Sequence, residues 1–164
     1  MNQPPRQKKS PVKRTAKITD RSPVKGPRAL IECSEEIPCD PCAKACSKGA
    51  IRIEGPITSL PVFDSDRCDG CGLCIPSCPG LAIFVIDPSF SGKEGLIKLP
   101  YEFLPLPRKG DRVIVLDREG KEIGIGKVHQ VLNPSRFDRT PVVSLLVPKG
   151  IVSEVRHFRP QGKK

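Results

Sequence analysis

The chain has 164 residues, a formal net charge of +10 at pH 7 and eight cysteines. No stretch approaches the roughly 20 apolar residues of a membrane span, and no apolar run follows the basic, proline-rich N-terminus as a secretory signal would require. The expected setting is therefore the cytoplasm, where thiols stay reduced and disulfides are not the natural use of cysteine.

Residues 1–28 hold nine Lys or Arg and one acid, Asp20, and so account for +8 of the formal charge. Five prolines and no aromatic residue leave this arm little to bury, and on its own it is expected to be extended. The tetrapeptide SPVK occurs twice in it, at residues 10–13 and 22–25. A solvated tail and an arm that orders on an acidic partner or an adjacent subunit are the two stronger readings. Nucleic-acid binding is the weaker one: the arm has no aromatic residue to stack on bases, and the rest of the chain sits near neutrality at +2.

Residues 29–90 carry all eight cysteines, with four Lys or Arg against nine Asp or Glu, a net −5. The first group is Cys33, Cys39, Cys42 and Cys46; the second is Cys68, Cys71, Cys74 and Cys78. The second reads C-x2-C-x2-C-x3-C-P, the ligand run of bacterial ferredoxins with two [4Fe–4S] clusters. Three cysteines at that spacing on a tight loop can wrap three corners of a cubane cluster, and Gly70 and Gly72 let the loop turn. Structural zinc also uses C-x2-C pairs, but two zinc ions would call for four such pairs rather than this run.

Cys39, Cys42 and Cys46 each lie 32 residues before Cys71, Cys74 and Cys78, and the match continues past them, with Ala50 over Ala82 and Ile51 over Ile83. The expected fold is α+β: a pseudo-twofold repeat of strand, cysteine loop, short helix and strand, with Pro79 stopping the second helix. In two-cluster ferredoxins the last cysteine of each run ligates the other cluster. The resemblance therefore implies two [4Fe–4S] clusters, one held by Cys33, Cys39, Cys42 and Cys78, the other by Cys68, Cys71, Cys74 and Cys46. The first run departs from the plain pattern, with five residues between Cys33 and Cys39 and Ser47 in the place of Pro79. Glu35 and Glu36 in that longer loop add negative charge, which lowers a local reduction potential.

Residues 91–107 read as a linker, since the segment from Leu99 to Pro107 has three prolines in nine residues. Residues 108–160 read as a small β-barrel-like docking module. Arg112 to Leu116 is a β-branched run, 117–121 is turn chemistry around Gly120, and Ile123, Ile125 and Val128 continue a hairpin. A strand is expected at 142–147 and another at 151–158. No nucleophile–base pair, phosphate loop or dinucleotide motif stands out. GIGKV belongs to the hairpin. His129 and His157 read as solvated or capping residues rather than ligands.

The phrases EIPC-x2-C and GLCIPSCPGLAIFV, with PYEFLPLPRKGDRV and LDREGK further on, resemble the small iron–sulfur subunit of FAD-dependent proline and hydroxyproline dehydrogenases of anaerobic bacteria. The resemblance covers about residues 28–150. It implies a non-catalytic electron-transfer subunit, with FAD on partner subunits, that passes electrons singly to another flavin or a further acceptor. Two other classes remain: a free ferredoxin-type carrier, and an iron–sulfur subunit of a different anaerobic redox complex.

Overall fold

The repeat of cysteines is also a repeat of structure. In a computed structural model, which describes residues 26–161, the first half comprises β1 (Arg28–Ile31), α1 (Pro41–Ala45) and β2 (Ile51–Ile53). The second comprises β3 (Pro61–Phe63), α2 (Cys74–Ser77) and β4 (Ile83–Asp87). The outer strands pair antiparallel, with Ile31 opposite Ile83, and so do the inner ones, with Ile51 opposite Phe63. A twofold exchange of the halves maps each pair onto the other. The basic arm and its SPVK repeat lie, up to residue 25, outside the described residues.

Both helices are too short to hold themselves, so their ends are set by the chain around them. Pro41 starts α1, where its missing N–H costs nothing. Cys46 and Cys78 end the two helices in extended geometry (φ −84° and −87°). The N–H of Gly49 then returns to the Cys46 carbonyl at 3.0 Å, and that of Leu81 to the Cys78 carbonyl at 3.1 Å. Both returning residues have positive φ, +62° for Gly49 and +50° for Leu81. The second half thus keeps the left-handed turn without the glycine that makes it easy.

From β4 the chain enters one continuous antiparallel sheet. Its remaining strands are β5 (Glu94–Pro100), β6 (Arg112–Leu116), β7 (Glu122–Leu132), β8 (Val142–Pro148) and β9 (His157–Pro160). The spatial order is β1-β4-β5-β8-β7-β6-β9. β4 is apolar on both sides because it has a core on each: Ile83 and Val85 pack among the cysteine loops, while Phe84 packs into the core of the C-terminal strands. β8 divides likewise, Val143, Leu145 and Val147 to one core and Val142 to the other. A strand buried on two faces reads as an unbroken apolar run.

The sheet corrects three expectations. The stretch 91–107 is not a bare linker, because residues 94–100 form β5 and pair with β8 along their whole length, from Glu94 opposite Pro148 to Pro100 opposite Val142. Gly95, Leu96, Ile97 and Leu99 are buried there, which outweighs the prolines that follow. The C-terminal strands are not a separate barrel: among the described residues β1 and β9 are the two ends of the sheet, and no ladder joins them. Residues 151–158 are not a strand. Val152 and Val155 are buried at one-turn spacing beside a 3-10 turn (Lys149–Ile151), and β9 begins only at His157.

The two sheet ends nevertheless meet through side chains. Glu32 follows β1 and Arg156 precedes β9; the Glu32 carboxylate accepts from Arg156 at 2.8 Å and pairs with Arg118, in the β6–β7 turn, at 2.5 Å. Burial alone would raise the Glu32 carboxyl, but the hydrogen bonds and charges of the two guanidiniums outweigh it and hold the group below its ordinary 4.5. Neither histidine caps an element: His129 meets the edge of Phe90, and His157 lies against Tyr101, Phe103 and Phe158. No helix among the described residues is long and apolar enough to cross a membrane.

Candidate metal centre

The eight thiols surround two cavities in sets of four. Cys33, Cys39, Cys42 and Cys78 line one, with Ile31, Pro61 and Ile83 behind them. Cys46, Cys68, Cys71 and Cys74 line the other, with Ala29, Ala50 and Ile51 behind. The two cavities are of near-equal size. Each takes three thiols from one run and the last thiol of the other. The crossing follows from the helices: each carries its chain from the loop of one cavity to the wall of the next.

The backbone also faces the sulfurs. Ala50 N–H points to Cys46 Sγ at 3.2 Å and Ala82 N–H to Cys78 Sγ at 3.5 Å, the same contact in both halves. Ala29 N–H adds one to Cys68 Sγ at 3.4 Å. The loop before Cys71 is pinned by its own side chain, since the Cys71 N–H donates to Asp69 at 3.1 Å and thereby lowers the Asp69 carboxyl. Gly70 has φ +68°, and a Cβ there would fall 2.4 Å from Pro27 Cβ. Only glycine allows the loop to lie this close to the start of β1.

Gathered thiols repel one another's charge. Burial, and then the neighbouring Cys78, push Cys42 up to about 11. Burial, and then Cys68 and Cys71, push Cys74 up to about 12. Cys39 is raised by the same causes. Four thiols around one cavity form a donor set that fits a four-thiolate iron–sulfur group, and taking one up releases protons. Among the described residues no three His, Cys, Asp or Glu converge as the ligands of a single metal ion would; the thiols stand around a volume.

One residue that contacts the cysteine loop escapes the sequence reading. Lys98 of β5 donates from Nζ to the carbonyl of Gly70 at 2.7 Å and reaches that of Cys71 at 3.5 Å. Its signal was present: a lysine inside the apolar run Leu96 to Leu99 needs a partner wherever the strand is covered on both faces.

Residues 37–82 match the 4Fe-4S dicluster domain family. Seven of the eight cysteines fall within that span, and Cys33 lies just before it. The match supports an iron–sulfur, ferredoxin-like part of the chain with an electron-transfer role, and the strand-rich α/β fold is consistent with it. No curated protein and no solved structure matches the chain.

Proposed function

We propose that this chain is the two-cluster electron-transfer subunit of a flavin-dependent dehydrogenase complex. Cys33, Cys39, Cys42 and Cys78 would hold one [4Fe–4S] cluster, and Cys46, Cys68, Cys71 and Cys74 the other. The observation that carries the reading is the pair of four-thiol cavities that exchange their last cysteines. When bound, each cluster would take up and release one electron at a time. The chain's own residues fix the spacing of the two centres, since Cys46 and Cys78 sit at the ends of α1 and α2 and tie each loop to its neighbour. They also supply N–H donors to the sulfurs and a dry wall of Ile31, Ile51 and Ile83. The protein sets position and potential, while the cofactor carries the redox chemistry.

A two-electron donor matched to two one-electron centres is what the resemblance to proline and hydroxyproline dehydrogenase subunits implies, with FAD on the partner chains. The sheet supports a fixed attachment of residues 91–160 to the cysteine loops, as a docking module needs. Anaerobic purification of the full chain from its native host tests both levels. Co-elution with FAD-containing chains, and bleaching of the cluster absorbance on adding proline, is the expected result. A monomer that no flavoprotein retains would sink the complex and return the chain to a free carrier.

A further inference from the structure

The two cavities are alike in thiols and unlike in charge. Lys48 lines the Cys46/Cys68/Cys71/Cys74 cavity, and its ammonium stands 3.7 Å from Asp69 on the same wall. Lys98 then arrives from β5, outside the repeat, onto the carbonyls of Gly70 and Cys71. Its stem lies against the same loop, with Cδ 3.5 Å from where a Gly72 Cβ would be. Charges on this wall therefore balance before Lys98 is counted and are positive after it. The Cys33/Cys39/Cys42/Cys78 cavity has Glu35 in its lining and no Lys or Arg. Glu32, next to Cys33 in the chain, engages the guanidiniums of Arg118 and Arg156, and Arg156 also donates to the carbonyls of Ser153 and Val155.

We propose that Lys98 makes the group held by Cys46, Cys68, Cys71 and Cys74 the stronger electron acceptor of the two, so that an electron taken up by the chain comes to rest on that side. This rests on the two-cluster reading above. Reduction adds one negative charge to a cluster, so a nearby fixed cation stabilises the reduced form and a nearby carboxylate destabilises it. The internal step is the move of one electron: the group on the Cys33 side is oxidised, the group on the Cys46 side is reduced, and no bond or proton changes. Cys71 is the exposed cysteine of the eight, so the electron rests beside the thiol that a further acceptor can approach. The C-terminal strands, through β5, thereby bias the direction of transfer.

The test is a redox titration of the full, iron-loaded chain with dithionite, followed by electron paramagnetic resonance, in the wild type and in Lys98→Met, Lys98→Arg and Glu35→Gln. The wild type should show two one-electron potentials. Lys98→Met should lower the higher and leave the lower, changing the relative occupancy of the two groups about tenfold, or about 59 mV for one electron. Lys98→Arg should restore it, and Glu35→Gln should raise the lower potential. If Lys98→Met leaves both potentials unmoved, if Lys98→Arg fails to restore them, or if Glu35→Gln moves the higher one, the assignment falls although the clusters stand. If the wild type loads well under about eight irons, the two-cluster reading itself fails and takes the assignment with it.

Discussion

The Glu32 carboxylate and the Arg156 guanidinium meet at 2.8 Å across 124 residues of sequence. Glu32 sits between β1 and Cys33, and Arg156 immediately precedes the last strand, so this contact ties the cysteine loops to the far edge of the sheet. Arg156 also lies over the Phe84 ring, 5.3 Å from its centroid, which fixes the guanidinium between the two cores.

Glu32→Gln should therefore loosen both ends of the sheet together. A charge-assisted bond of this kind is worth about 1–3 kcal/mol, and the loss should appear as a lower urea midpoint at neutral pH. The Glu32 carboxyl is held below 4.5 in the folded chain, so its contribution is full above that pH and fades as pH falls through the lowered value. Wild type and variant should differ near neutrality and converge in acid. An equal gap at both ends of the range would mean that the ion pair is not the cause.

Gly70→Ala should damage the loop without touching a thiol. The new Cβ would fall 2.4 Å from Pro27 Cβ and 2.8 Å from the Pro27 carbonyl oxygen, at φ +68°. Overpacking and left-handed strain together cost about 2–4 kcal/mol. Because Pro27 must shift, the Ala29 N–H should retreat from Cys68 Sγ. Faster iron loss from the loaded protein, alongside a lower melting temperature, is the expected pair of readouts. A variant as stable and as slow to lose iron as the wild type would show that Pro27 can move freely.

The cysteine spacing made the repeat legible, because the thiols that must share a cavity recur at a fixed offset and Ala50 and Ala82 recur with them. The hairpin of β6 and β7 was legible for a similar reason, a local turn between two β-branched runs. β5 was not. Its partners lie in β4 and β8, and the prolines at 100, 105 and 107 dominate a local reading while the burial of Ile97 and Leu99 decides the fold. Lys98 and Glu32 were hidden for the same cause: each is defined by a residue far away in sequence, and a single charged letter carries no distance. Val152 and Val155 misled differently, since an apolar pair one turn apart can fill a core without forming a strand.

The exchange of last cysteines predicts opposite losses from two single changes. Cys46→Ala should empty the site of Cys68, Cys71 and Cys74, and Cys78→Ala that of Cys33, Cys39 and Cys42. Each variant should retain about four of the expected eight irons, with the surviving paramagnetic signals differing between the two. The reverse assignment of those signals, checked against Cys74→Ala and Cys42→Ala, would mean that each run closes its own cluster.

The thiols also set a pH limit on the iron-free chain. Cys42 is raised from 9.0 to about 11 and Cys74 from 9.0 to about 12, both chiefly by burial. Between those values the folded chain holds protons that the unfolded chain gives up, so stability is full below pH 9 and declines as pH rises through the folded values. Anaerobic, reduced apoprotein should show a falling urea midpoint from about pH 9 upward. Over the same range exposed Cys71 should alkylate first and buried Cys74 last. Loading with iron should abolish the decline, because ligated thiolates no longer titrate. An apoprotein whose midpoint is flat across this range would place the thiols in contact with water, and the dry, crowded cavities described above would be wrong.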